Sequence, residues 1–170
     1  MSVLEVVEKF VSINGEGTKA GQLAVFIRFK GCNLNCKYCD TKWANEADAT
    51  AQQMTKEDIL EYVLSTGVKN VTLTGGEPLL RDGIEDVIEC LADNNLNVEI
   101  ETNGSIPLDN IRKLHKDNVT FTMDYKLSCS GMEQAMRLEN FSVLNKNDTV
   151  KFVAGCHEDL VRTKQIIEKY

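Results

Sequence analysis

Apolar and polar positions along the chain follow two alternating periods. Residues 3–12 and 23–30, the second reading Leu-Ala-Val-Phe-Ile-Arg-Phe-Lys, are rich in β-branched and aromatic residues and read as strands. Shorter apolar runs at 70–74, 97–102, 119–124 and 149–153 predict further strands. Between them the period lengthens. Residues 55–65 open on Thr55 with Asp58 three places on, a helix-start signal. Residues 82–93 repeat Ile84, Val87, Ile88 and Leu91 at helical spacing. Further helices are predicted near 108–116 and 132–139, and a last one from about 157 to the terminus. Strands alternating with helices imply an α/β fold with a parallel sheet and helical crossovers. No repeat, low-complexity tract or linker divides the 170 residues, so one domain over 1–170 is expected.

Sheets of this kind bind ligands at the carboxyl ends of their strands. Gly31-Cys32, Thr74-Gly75-Gly76-Glu77, Glu101-Thr102-Asn103-Gly104 and Asp124-Tyr125-Lys126 each follow a predicted strand. Polar and glycine-rich residues therefore gather at one end of the sheet, and they are the candidate site.

Composition narrows the class. A hydrophobic fraction of 42% is too high for a disordered chain. Nineteen Lys and Arg against twenty-six Asp and Glu give a net charge of −7, which argues against a general nucleic-acid binder. A small anionic substrate remains compatible with that charge, because it needs only one or two placed cations. No run approaches the ~20 apolar residues of a membrane helix. Glu5 and Glu8 interrupt the N-terminus where a secretory leader would be apolar. A soluble, cytoplasmic protein is expected, with no nucleic-acid or membrane partner.

Cysteine adds the chemistry. Three of the six cysteines, Cys32, Cys36 and Cys39, form a Cys-x3-Cys-x2-Cys motif, while Cys90, Cys129 and Cys156 are scattered. A metal centre in a reducing compartment accounts for this distribution better than a disulfide framework does. Thiolates suit zinc or iron–sulfur clusters. A structural zinc takes four protein ligands, and here a distant Cys or His157 would have to supply the fourth. A [4Fe–4S] cluster held by three thiolates keeps one iron open to a small molecule.

The triad, with Tyr38 just before its last cysteine, resembles that of the radical S-adenosylmethionine (SAM) enzymes. The resemblance implies that SAM chelates the open iron. It also implies that one-electron cleavage of SAM yields a 5′-deoxyadenosyl radical, which takes a hydrogen atom from substrate. Thr74-Gly75-Gly76-Glu77-Pro78 matches the family's Gly-Gly-Glu-Pro segment, where backbone lacking a β-carbon approaches the SAM amino group.

Phe10-Val-Ser-Ile-Asn-Gly-Glu-Gly17, Gly21, Phe26, Arg28, Gly31-Cys-Asn-Leu34 and Cys39-Asp-Thr41 narrow the likeness to the 7-carboxy-7-deazaguanine synthases. Glu101-Thr-Asn-Gly-Ser105 and Val150-Lys-Phe-Val153 extend it to about residue 154. These enzymes contract the ring of 6-carboxytetrahydropterin on the route to queuosine and other 7-deazapurines.

The resemblance implies that Ile13, Asn14, Gly15 and Glu16 line a pterin pocket, with Arg28 on the substrate carboxylate and Thr74 also touching substrate. On the SAM side it implies Gly75, Gly76, Glu77, Thr102, Asn103, Asp124, Tyr125 and Lys126. Thr41 would hold Mg²⁺ through its hydroxyl, and a flavodoxin or ferredoxin would deliver the electron. The implied fold is a partial (β/α)6 barrel of about six parallel strands, and a homodimer is compatible with it.

The sequence departs from the family in three places. Asn14 stands where the family has Gln, one methylene longer. Of the family's Ser-Pro-Lys segment only Lys126 is the same residue. Family members also continue past this point with a strand, a helix and residues that close the pterin pocket. The chain stops within a helix at Ile166-Ile-Glu-Lys-Tyr170. The expectation is a C-terminally truncated chain, or a pocket closed by a partner chain or built for a different substrate. Two competing functions are a glycyl-radical activase and a non-enzymatic zinc or iron–sulfur scaffold. Cys90 reads as core packing, Cys129 as a loop thiol and Trp43 as a cap over the cluster loop.

Overall fold

Alternation at period two divides the strands between two faces. The computed structural model describes residues 2–170. Its strands are β1 (Leu4–Ile13), β2 (Leu23–Phe29), β3 (Gln52–Met54), β4 (Asn70–Gly75), β5 (Asn97–Thr102), β6 (Val119–Tyr125) and β7 (Thr149–Phe152). They form one sheet in the order β3-β1-β2-β4-β5-β6-β7. Strands β2, β4, β5, β6 and β7 are parallel neighbours, whereas β1 is antiparallel to both β2 and β3.

The α/β class and the single domain-sized sheet stand as the pattern implied, and the sheet is mixed with five parallel strands. β1 joins β2 through residues 14–22, too short for the crossover of about a dozen residues that a parallel pair needs. A hairpin results. β3 escapes the sequence pattern because it is three residues long and begins with two glutamines.

One face is apolar: Val25, Ile27, Val71, Leu73, Val98, Ile100 and Phe121 lie in a single buried cluster. Against it pack α1 (Lys56–Thr66) through Ile59 and Val63, and α2 (Ile84–Asp93) through Ile84, Val87, Ile88 and Leu91. Each fully buried aliphatic chain contributes about 1.5–3 kcal/mol over its exposed state. Helix α1 starts at the Thr55–Asp58 pair, which forms a reciprocal capping box.

The predicted 108–116 helix is a single turn, α3 (Asp109–Arg112), and a final helix, α4 (His157–Lys169), closes the chain. Residues 132–139 are not an α-helix: short 3₁₀ turns stand at Glu133–Ala135 and Leu138–Ser142. Tertiary bonds override the helical pattern there. Arg137 N–H donates to the Gly104 carbonyl, and the Asn140 amide donates to the Gly104 and Ile106 carbonyls. Among the described residues no helix is long and apolar enough to cross a membrane.

Candidate active site

The other face of the sheet is polar, and it encloses the site. A cavity of about 430 Å³ is lined by residues from β2 (Arg28), β4 (Thr74), β5 (Glu101), β6 (Thr122, Asp124) and β7 (Lys151). In a flat sheet β2 and β7 would stand about 19 Å apart, four strand spacings. Sharing one cavity of this size requires the sheet to curl around it.

At the carboxyl ends of the strands the loop after β2 carries Cys32, Cys36 and Cys39 to the cavity wall, all three as free thiols. Cys32 Sγ accepts from the Leu34 N–H at 3.4 Å and from the Asn103 amide at 3.5 Å. Such N–H donors favour a thiolate. Burial pushes the Cys32 and Cys36 thiols above their ordinary pKa, and Lys126 works against that at Cys36. Among the described residues the one group of ligand atoms gathered within 4.8 Å is Cys129, Cys156 and Asp159, not the triad. Two thiolates on one zinc sit only about 3.8 Å apart, from Zn–S bonds of about 2.3 Å. The wider spacing of the triad suits a centre of several metal ions. Thr41 is also on the wall, its hydroxyl 3.7 Å from Cys39 Sγ.

Gly75 and Gly76 sit where a side chain is excluded. Gly75 has φ 146°, and a Cβ on Gly76 would run into the Gly31 carbonyl oxygen at the base of the cysteine loop. Gly76 N–H donates to Phe29 O at 3.2 Å and Glu77 N–H to Gly31 O at 3.0 Å, fastening this turn to that loop.

The Glu77 carboxylate is fully buried and takes hydrogen bonds from Thr102 Oγ1 (2.9 Å), Asn103 N–H (2.6 Å) and Leu79 N–H (3.1 Å). Burial nonetheless pushes its pKa up to about 7. Glu77 is thus a strut between the glycine turn and the end of β5.

The cavity floor pairs opposite charges. Lys151 Nζ contacts Glu16 at 2.6 Å and Asp124 at 3.6 Å, and Lys126 Nζ contacts Asp124 at 2.8 Å. Burial works against a charged Lys126, but Asp124 outweighs it and holds its pKa above the ordinary value. Arg28 pairs with Glu8 at 2.9 Å while still lining the cavity. Glu101 accepts from the Thr74 hydroxyl at 2.7 Å, and burial raises its pKa.

Of the residues expected in the site, Glu16, Arg28, Thr41, Thr74, Gly75, Gly76, Thr102, Asn103, Asp124, Lys126 and the three cysteines line this cavity. Five do not. Tyr125 follows Asp124 and so points to the opposite face, where its ring packs with Phe141 and Phe152. Glu77 is turned inward as described above. Ile13 is 65% exposed and pairs with Leu23, at the amino end of β2 and away from the cysteines. Asn14 is buried beneath the cavity, bonded to Glu99 and to Thr72, and Gly15 is exposed beside it. From there the loop crosses the polar face, so that only Glu16 reaches the cavity. Trp43 is 43% exposed and does not line the cavity.

Sequence reasoning placed Glu101 among the strand-end residues without giving it a role, and passed over Thr122 and Lys151 as site residues. Their signal was the alternation itself: Val-Glu-Ile-Glu, Val-Thr-Phe-Thr and Val-Lys-Phe place a polar residue at every second position of strands otherwise built for a core.

The profile of the Radical SAM superfamily matches residues 26–125. A 7-carboxy-7-deazaguanine synthase of Clostridium acetobutylicum is 59% identical over 167 residues, covering 98% of this chain and 75% of that protein. A protein of the same name from Methanospirillum hungatei is 34% identical over 98% of this chain and 68% of its own length. Among solved structures, QueE from Escherichia coli superposes with a TM-score of 0.73 at 24% identity, over 99% of this chain and 79% of that one.

Proposed function

Because the chain belongs to the 7-carboxy-7-deazaguanine synthase family of the radical SAM superfamily, we propose that it converts 6-carboxy-5,6,7,8-tetrahydropterin to 7-carboxy-7-deazaguanine with release of ammonia. The reaction is that of a radical SAM lyase in queuosine and 7-deazapurine synthesis. One observation carries the reading: the thiol triad and the glycine cradle share a single cavity with a floor of half-buried carboxylates and cations.

Cys32, Cys36 and Cys39 would hold a [4Fe–4S] cluster, three thiolates for four irons, which would keep one iron open to SAM. When bound, cluster and SAM supply one-electron chemistry that ends in abstraction of a hydrogen atom from the pterin. The protein's own residues do the positioning. The Gly75–Gly76 backbone, held by the Glu77 strut, forms the SAM side together with Thr102, Asn103, Asp124 and Lys126. Arg28 offers a planar pair of donors to the substrate carboxylate. Thr74, Glu16 and Glu101 face the pterin ring, and Glu101, with its raised pKa, is suited to hold a proton there. Lys151 keeps Glu16 and Asp124 in place. Thr41 supplies a hard oxygen for Mg²⁺ beside the substrate carboxylate. A flavodoxin or ferredoxin as electron donor, a cytoplasmic location and a homodimer complete the proposal.

The test is an anaerobic assay with reduced cluster, SAM, Mg²⁺ and 6-carboxytetrahydropterin. The expected result is a product with the mass of 7-carboxy-7-deazaguanine and one ammonia per turnover. SAM cleavage that is indifferent to the pterin would remove the assignment. It would return the activase reading, which the named relatives do not favour.

A further inference from the structure

Cys129 and Cys156 come from separate segments and meet. Cys129 lies in the 3₁₀ turn Ser128–Ser130 after β6, and Cys156 is the N-cap of α4. Cys129 Sγ donates to Cys156 Sγ at 2.7 Å, and both residues are partly exposed. The surroundings are built for this meeting. The Asp159 carboxylate, with no exposed surface, accepts from Ser128 Oγ (2.8 Å), Cys129 N–H (3.2 Å) and Gly155 N–H (2.9 Å). It thus clamps both cysteine-bearing segments to the first turn of α4. Gly155 lets them close: a Cβ there would stand 3.0 Å from Cys129 Cβ.

A zinc ion does not suit this pair. Two thiolates on one zinc stand about 3.8 Å apart, well beyond the 2.7 Å between these sulfurs. The Asp159 oxygens are moreover already engaged. A disulfide suits it, since the sulfurs need to close by only about 0.7 Å to reach a bond of about 2.05 Å.

We propose that Cys129 and Cys156 form a reversible disulfide site, separate from the cluster triad, that exchanges electrons with low-molecular-weight disulfides and thiols. Cys156, which accepts the hydrogen bond from Cys129, attacks one sulfur of the small disulfide and releases a first thiol. Cys129 then attacks the mixed disulfide at Cys156 and releases the second. Two protein thiols lose two electrons and two protons, one S–S bond forms, and the small disulfide is reduced to two thiols. The contact with Cys156, and after it the neighbouring Asp159, favours the protonated form of Cys129, which makes Cys129 the resolving partner.

The site matters because of what adjoins it. Ser130, the next residue after Cys129, accepts from Lys37 N–H at 2.9 Å, and Lys37 lies inside the cysteine loop. Oxidation ties the wall that supports that loop to the first turn of α4.

The test uses anaerobic, cluster-loaded protein equilibrated in mixtures of oxidised and reduced glutathione, then acid-quenched, alkylated and digested with trypsin. The expected product is a linked pair of peptides, 127–137 and 152–162, that accumulates at oxidant ratios leaving Cys90 fully alkylated. It should return to free thiols on adding dithiothreitol, with the cluster absorbance unchanged throughout. The oxidised form should unfold roughly 5–10 °C higher than the reduced form, because the link constrains the unfolded chain. Cys129→Ser and Cys156→Ser should each abolish the linked pair and that rise, while SAM binding stays at the level of the reduced parent. Linkage that appears only after unfolding overturns the proposal. So does glutathionylation of Cys90 at the same oxidant ratio, or stoichiometric zinc shielding Cys129 and Cys156 from alkylation.

Discussion

Glu77 gives the most quantitative test of how the site is built. Its carboxylate is buried under three hydrogen bonds, and its pKa stands at about 7 against an ordinary 4.5. Burial outweighs the donors, because desolvating a charge costs more than three bonds return. The sign follows from proton binding. Between pH 4.5 and 7 the folded chain holds the Glu77 proton that the unfolded chain has released. The corresponding stability is fully present below 4.5, declines as pH rises through that window and is lost above 7. At 1.36 kcal/mol per pH unit, the gap from 4.5 to about 7 amounts to about 3 kcal/mol. Glu77→Gln removes the titration while keeping one carbonyl oxygen for the donors. Urea unfolding of reduced, cluster-free protein, followed by far-ultraviolet circular dichroism at pH 5, 6, 7 and 8, measures both chains. The stability difference, parent minus Gln, should fall by about 2.5 kcal/mol from pH 5 to pH 8, the rest being lost already below pH 5, and groups common to both chains cancel. Parallel pH profiles for the two proteins would refute the reasoning and show the carboxylate to be ionised throughout.

Further outcomes follow from the cavity. Cys36→Ala should remove iron and SAM cleavage together while Cys90→Ala keeps both, as read by iron analysis and 5′-deoxyadenosine release. Arg28→Ala should weaken pterin binding by about 1.5–3 kcal/mol, the range for a hydrogen bond to a charged group, and leave SAM affinity and cluster content unchanged in calorimetry. Thr41→Ser should retain Mg²⁺-stimulated turnover, whereas Thr41→Ala should lose it, with a rate loss on the order of a hundredfold from misplaced substrate. Parallel Mg²⁺ curves for the Ser and Ala chains would take Thr41 out of the site.

Much of this was legible along the chain, for identifiable reasons. Strands β2, β4, β5 and β6 were readable to within a residue or two because apolar residues recur at every second position, as at Val25 and Ile27, Val71 and Leu73, Val98 and Ile100, and Val119 and Phe121. Thr55 and Asp58 marked the start of α1 because the capping box is a local device. Where long-range contacts decide, the pattern misled. Residues 132–139 carry helical spacing, yet the Asn140 amide holds that segment to the Gly104 and Ile106 carbonyls. The cysteine triad was visible because its spacing is local. Asn14 was not placed correctly, because only folding shows that it bonds to Glu99, 85 residues away, beneath the cavity.

The same alternation accounts for how one sheet serves two purposes. In a closed eight-stranded barrel the inner positions pack against one another as a core. Here the core lies outside the curl, under α1 and α2, and the inner positions are Arg28, Thr74, Glu101, Thr122, Asp124 and Lys151. An unfilled polar interior would be costly unless its charges were paired, and they are: Lys126 and Lys151 with Asp124, Lys151 with Glu16, and Arg28 with Glu8. Arg28 and Lys151 keep contact with the cavity, so a carboxylated ligand can exchange into pairs that already exist rather than face unpaired charges. The thiols and glycines occupy the strand ends and the loops above them, while Arg28, Asp124 and Lys151 each stand one residue before the end of a strand. On the proposed reading, cofactor at the rim and substrate on the floor meet across a cavity of about 430 Å³, with the Asp124–Lys126 pair between them.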